Sequence, residues 1–297
     1  MNGKEGLAER FEADRGRLRA VAYRMLGSLA EADDAVQACW LRLSQADPDA
    51  IRNLQGWLTT TVARLCLDRL RWRKSRREES LEAHPGEPAA AEEKRTGPNQ
   101  EALIAESVGL ALLVMLERLS PGERVAFVLH DTLRIPFDRI ATIVDRSPAA
   151  ARQLASRARR RMQGTSAAPA ADLSAQRDAV DAFLAALRAE DVEGLLAVLA
   201  PQTVRIADAA AAPERARELR GSTAVVGEAL THAGFARNAR PMLVNGSVGI
   251  VVAPLGRLRV AISCTVEAGR IVRMEVIADP DSLGKLDLAM LPGNCLT

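Results

Sequence analysis

Apolar residues recur at spacings of three and four along the first half of the chain, and that period predicts a series of amphipathic helices. Leu7, Phe11, Leu18, Val21, Ala22, Met25 and Leu26 share a face over residues 7 to 29, and Gly27-Ser28 ends the run. A second helix spans residues 31 to 43, with Val36, Trp40 and Leu43 as its apolar stripe and Asp33 and Asp34 in the first turn, where the helix dipole favours negative charge. Residues 44 to 53 contain Asp47-Pro48-Asp49 and read as a loop. From Leu54 to about Arg77 a third helix buries Leu54, Trp57, Leu58, Thr61, Val62 and Leu65, and turns Thr60, Arg64, Asp68 and Arg71 outward.

The period then disappears. Residues 78 to 100, rich in Glu, Ala, Pro and Gly, read as a flexible linker. It resumes near Glu101 in a helix carrying Leu103, Ser107, Leu110, Val114 and Leu116 to Leu119, which stops at Ser120-Pro121-Gly122, and in a supporting helix from Glu123 to Leu133. Adjacent residues on a helix do not face each other, so His130-Asp131 is read as structural rather than catalytic. Next come two helices joined by a tight turn. Phe137, Ile140, Ala141 and Val144 share a face on the first, and Asp145-Arg146-Ser147 is the turn. Ser147 and Pro148 form a strong helix start, and Ala151, Leu154, Ala158 and Met162 form a small-residue packing face on the second helix. Arg152, Gln153, Ser156, Arg157 and Arg160 are left outward. This is a helix-turn-helix pattern, whose second helix presents its first half to base edges in the major groove.

A second linker occupies residues 164 to 173, and the pattern changes after it. Helices over residues 174 to 190 (Val180, Phe183, Leu184 and Leu187 on one face) and 192 to 199 precede a strand over 203 to 207 and a helix over 223 to 232. Strands at 239 to 244, 248 to 253, 258 to 266 and 271 to 277 are punctuated by the hairpin signals Asn245-Gly246, Pro254-Leu255-Gly256 and Ala268-Gly269. The predicted fold is therefore multidomain: two all-α domains, the second with the helix-turn-helix, followed by an α+β cone.

Charge sharpens this picture. The net charge of +2 hides basic clusters at residues 69 to 77 and 146 to 161, and the second cluster holds six arginines and no acid. Such a face is costly to assemble unless a polyanion neutralises it. In RLRWRKSRR, Trp72 lies among Arg69, Arg71, Arg73, Lys74, Arg76 and Arg77. An aromatic among cations suits stacking on unpaired bases while its neighbours track phosphates, and it suits equally a helix end decorated against its dipole. Cys39, Cys66, Cys264 and Cys295 are scattered and the three histidines lie far apart, so no metal site or cofactor is expected. With no signal peptide and no apolar run of membrane-spanning length, the sequence points to the cytoplasm and away from a membrane.

The runs DDAVQACWLRL, NLQGWLTTTVARLCLDRLRWRKSRR and ERLSPGERVAFVLHDTLRIPFDRIATIVDRSPAAARQLASRARRRM resemble the two DNA-binding domains of bacterial extracytoplasmic-function sigma factors, over residues 7 to 163. The resemblance implies a region 2 domain over residues 1–77, a region 4 domain over 101–163, and core RNA polymerase and promoter DNA as partners. Asp33, Asp34, Gln37, Trp40 and Leu41 would then dock on polymerase. Asn53, Trp57, Arg64, Arg71, Trp72, Arg73 and Arg76 would capture the minus-ten element. Ser147, Arg152, Gln153, Ser156, Arg157 and Arg160 would read the minus-thirty-five element.

Residues 174–297 resemble the SnoaL-like domain, of the nuclear-transport-factor type, found in the sigma-J-like group. That implies a regulator packed on the sigma domains, with a small ligand as a possible occupant. The group's DGGGK motif is replaced by Asp208-Ala209-Ala210-Ala211-Ala212-Pro213, and its WLPEP linker motif is reduced to Gly86-Glu87-Pro88. Related cones catalyse proton transfers, and Asp208, His232 and Glu275 are the candidates here, but no convincing pair is visible. A polymerase-independent, ligand-responsive DNA-binding regulator and a cone enzyme tethered to DNA are the alternative readings.

Overall fold

The computed structural model describes residues 3–47, 50–83, 109–164, 170–212 and 216–291. Its backbone contacts divide into two compact units, Met1–Val108 with Leu116–Arg159, and Gly109–Met115 with Arg160–Thr297.

In the first unit, α1 (Gly3–Leu26), α2 (Leu29–Gln45) and α3 (Leu54–Ala83) pack around Phe11, Leu18, Tyr23, Leu29, Leu43 and Leu58. Gly27 takes φ +72 to end α1, a left-handed conformation that glycine adopts without steric cost. Ser28 then caps α2, which therefore starts two residues before the first acidic turn suggests. Polar stitches join the bundle: Arg17 donates from Nη1 to Thr59 Oγ1 at 3.1 Å, and Gln55 donates to Asp14 at 3.3 Å. Helix α3 runs six residues beyond the expected boundary at Arg77, into the predicted linker. The added sequence, EESLEA, consists largely of good helix formers, and the first breaker is Pro85. The rest of that linker and the start of the helix expected from Glu101 lie outside the described residues.

Helix α4 (Leu110–Glu117) precedes α5 (Pro121–Phe127), whose N-terminus carries a reciprocal capping box between Ser120 and Glu123. A π-helical turn, Val128–Thr132, leads to α6 (Phe137–Val144) and α7 (Pro148–Gln163). Asp145 adopts φ +57 at the corner, and Ser147 Oγ accepts from Ala150 N at 3.2 Å, so turn and cap form as the sequence implies. Ile140, Ala141 and Val144 are buried, as are Ala151, Ala155 and Ala158. The His130 ring stacks on Phe137 at 4.0 Å and Asp131 pairs with Arg159, so both residues are structural. Arg124 is a buried cation that the sequence does not announce. It is 5% exposed, donates to Arg24 O, and has its pKa lowered to about 10 by desolvation.

The second unit is α+β. Helices α8 (Ala170–Ala189) and α9 (Val192–Val198) precede strands β1 (Leu199–Ala207) and β2 (Glu218–Arg220). Helix α10 (Ser222–Thr231), β3 (Ala239–Val244), β4 (Ser247–Val252), β5 (Val260–Glu267), β6 (Arg270–Ile277), α11 (Pro280–Lys285) and β7 (Leu288–Ala289) follow. The sheet order is β2-β1-β6-β5-β4-β3-β7, antiparallel except for the parallel pair β1 and β6. Val180, Phe183, Leu184 and Leu187 of α8 meet Val248, Ile250, Cys264 and Met274 in the core. Asn245-Gly246 and Ala268-Gly269 both have two consecutive positive φ angles, as tight hairpins require. The same unit includes helical residues from before residue 164. Leu113 lies against Gly256, and Met290 N donates to Met162 O at 2.8 Å.

At the end of β1, Asp208 accepts from Ala211 N at 2.7 Å, Ala278 N at 2.9 Å and Asp279 N at 2.8 Å. Burial acts to raise its pKa, but these amides prevail and hold the carboxyl below its ordinary value. A depressed folded-state pKa adds stability above the unfolded value of about 4, and that stability is lost as pH falls through the folded value. Asp208→Ala is therefore expected to cost about 1 kcal/mol at neutral pH, a small figure because the carboxylate is partly solvated. Unfolding followed from pH 7 to pH 2 should show the gap between Asp208→Ala and the parent chain closing with acid.

Candidate nucleic-acid interface

The basic end of α3 separates into presented and retained cations. Trp72 is 57% exposed and Arg76 lies over its ring at 5.0 Å, so aromatic and cation form one outward surface. Arg73 turns inward, where it donates to Leu26 O at 3.0 Å and pairs with Glu31. Trp57 is half-buried, while Asn53 is exposed and caps α3, its Oδ1 accepting from Gly56 N at 3.0 Å. Trp72 and Arg76 thus stand together, whereas Asn53 and Arg73 already hold structural bonds.

Arg64 and Arg71 are engaged elsewhere within the same unit. Arg64 donates to Thr142 O at 2.9 Å and Arg71 to Val144 O at 3.3 Å, both carbonyls belonging to the last turn of α6. Arg139 of α6 lies beside Gly56 and Asn53. Two of the candidate minus-ten residues therefore bond to the helix-turn-helix itself. Sequence reasoning missed this pairing, because only the fold brings residues more than 70 apart together.

On α7, Arg152, Gln153, Arg157 and Arg160 are exposed, Ser156 is half-buried, and Ser147 is the exposed cap. Arg152 lies over the Phe137 ring at 5.3 Å, which fixes the direction in which its guanidinium leaves the helix. On α2, Asp33 pairs with Arg19 and Asp34 with Arg69. Trp40 tilts against Phe11 at 5.1 Å, Gln37 is exposed, and Leu41 is 54% exposed. Arg15, Arg19, Asp33, Gln37 and Trp40 line a cavity of about 510 Å³ on this surface.

Among the described residues no group of His, Cys, Asp and Glu is placed to hold a metal. Burial pushes the Cys39, Cys66 and Cys264 thiols up to about 12, so they are inert core residues; Cys295 lies outside the described residues. The candidate catalytic groups of the second unit each have another engagement. Asp208 holds backbone amides, Glu275 pairs with Arg273 at 2.9 Å, and His232 tilts against Phe235. Arg205, 4% exposed, forms a buried pair with Glu228 of α10. No helix of the described residues is long and apolar enough to cross a membrane.

Residues 10–77 match the Sigma-70 region 2 family and residues 109–162 match Sigma-70, region 4. The chain is 38% identical over 288 residues to the ECF RNA polymerase sigma factor SigJ of Mycobacterium tuberculosis, covering 91% of each. It is 30% identical over 295 residues to a probable ECF RNA polymerase sigma factor, SigI, of the same organism, covering 96% of this chain and 98% of the relative. The crystal structure of the M. tuberculosis SigJ protein aligns over 93% of this chain and 98% of its own, with 34% identity and a TM-score of 0.43. The chain therefore belongs to the extracytoplasmic-function sigma factors, non-enzymatic subunits that bind core RNA polymerase and promoter DNA to start transcription.

Proposed function

We propose that residues 1–77 of this sigma factor bind core polymerase and the minus-ten element, that residues 101–163 read the minus-thirty-five element, and that residues 174–297 regulate both. The carrying observation is the pair of separate cationic surfaces, Trp72 with Arg76 on α3 and Arg152 with Arg157 on α7. Asp33, Asp34, Gln37, Trp40 and Leu41 form the polymerase-docking face. Its protruding Leu41, with Arg15, Arg19, Asp33, Gln37 and Trp40 lining a cavity, fits a partner that supplies an apolar socket and charged rims. Work on polymerase and promoters places the chain in the cytoplasm.

Arg64 and Arg71 imply an order of events. Each guanidinium gives one N–H donor to Thr142 O or Val144 O, and polymerase binding that draws α6 away from α3 would release both for promoter DNA. Regulation by the C-terminal domain acts through packing, because Gly109–Met115 and the end of α7 cluster with it. A small ligand held between sheet and helices would act through the same packing.

A reconstituted assay tests the whole reading. Core polymerase with this chain is expected to give promoter-specific transcripts that core alone does not; tight promoter binding without polymerase, and no transcript with it, is the opposite result. Within that assay Arg152→Ala should relax preference at one position of the upstream element by about 1–3 kcal/mol. Equal loss on every sequence removes Arg152 from the readers. Arg76→Ala and Arg73→Ala should separate cleanly. The first leaves stability within about 0.5 kcal/mol and lowers the salt slope of DNA binding by about 1, whereas the second costs about 2 kcal/mol in urea unfolding.

A further inference from the structure

The helix-turn-helix is entered through a π-helical turn, Val128–Thr132, and turns of that kind are rare and often mark functional places. This one sends two consecutive side chains to the reading pair. Asp131 pairs with Arg159 of α7 at 2.7 Å, and the His130 ring stacks on Phe137, the first residue of α6, at 4.0 Å with the ring planes 28° apart. His130 is itself held, its Nδ1 lying 3.1 Å from Ile135 O. The half-buried Phe137 ring carries a second contact, because the Arg152 guanidinium lies over it at 5.3 Å. The other carboxylates of the corner, Asp138 and Asp145, form no ion pair with Arg152 among the described residues. A chain of contacts thus runs from the π turn through one aromatic ring to a cation on the face of α7.

The geometry points to Phe137 as a positioning residue for sequence reading, with His130 holding its ring in place. An arginine is long and flexible and loses rotamer freedom when it is fixed on a base, so a contact that restricts it beforehand lowers that cost. A ring face restricts it without taking a hydrogen-bond donor, and the N–H groups stay available for the acceptors of a guanine edge. A cation over a ring at an exposed site corresponds to about a two- to fivefold change in an equilibrium. Phe137 therefore sets the strength of a base preference through Arg152 rather than by a contact of its own. This inference rests on Arg152 being a reader of the minus-thirty-five element, and the experiment tells the two apart.

Full-length protein with core polymerase selects from DNA fragments randomised across the promoter region, and the retained sequences give a base preference at each position. Arg152→Ala marks the position that Arg152 reads. Phe137→Met, which keeps an apolar side chain and removes the ring, is expected to lower preference at that same position about two- to fivefold and to leave the others unchanged. Phe137→Tyr, which restores a ring, retains the parent's preference. His130→Ala, which loosens the ring without altering α6, shifts the same position in the same direction. The double variant Phe137→Met with Arg152→Ala is no more relaxed there than Arg152→Ala alone, because the ring acts only through the guanidinium. Melting temperatures identify a variant that fails to fold, and His130→Ala then stands in for Phe137→Met. If Arg152→Ala relaxes its position while Phe137→Met and His130→Ala keep it, the inference fails and the assignment of Arg152 stands. Equal weakening on every sequence, or further relaxation in the double variant, also overturns the inference. If Arg152→Ala relaxes no position, both fall.

Discussion

The Arg64 and Arg71 guanidinium groups need oxygen partners, and this protein supplies them from its own backbone. The last turn of α6 is the negative end of a helix dipole, and two of its carbonyls accept the Arg64 and Arg71 guanidinium groups. The magnitude matters for function. A hydrogen bond to a charged group contributes about 1.5–3 kcal/mol when desolvated, but exposed pairs contribute about 0–1 kcal/mol. Both arginines are exposed, so the two bonds together contribute about 0–2 kcal/mol.

The same reasoning sorts the other arginines. Arg73 and Arg124 are held by carbonyls inside the fold, and Arg124 is buried deeply enough that desolvation lowers its pKa to about 10. Arg76 and Arg152 each lie over an aromatic ring, which orients the cation without consuming its hydrogen-bond donors. Those donors remain available to a nucleic acid. An oxygen therefore fixes Arg73 and Arg124 within the fold, whereas a ring face aims Arg76 and Arg152.

Much of this was legible in the sequence. The helix-turn-helix corner, its Ser147 cap and its small-residue packing face rest on local rules, and local rules survive folding. The hairpins at Asn245-Gly246 and Ala268-Gly269 were legible for the same reason. What could not be read depends on contacts distant in the chain. Arg73 and Arg76 look alike in RLRWRKSRR, and only the position of Glu31 and Leu26 on neighbouring helices separates them. The short strands β2 and β7 carry two or three residues each, too few for a period, and exist because β1 and β3 offer open edges. Acidic composition suggests a linker from residue 78, but helix propensity carries α3 through Ala83.

Helix α4 shows why the α+β unit includes residues from before the helix-turn-helix. Its sequence, LALLVMLE, is apolar on every side, and Leu110, Leu112, Leu113, Val114, Met115 and Leu116 are all buried. A helix apolar all round has no face to offer to water, so it must be covered from more than one direction. Residues Leu110 to Met115 cluster with the α+β domain and the remainder of the helix with the sigma domains, and Leu113 fits against Gly256, where a side chain would leave it no room. Exposing one such leucine costs about 1.5–3 kcal/mol. The α+β domain therefore completes the core around the first helix of region 4.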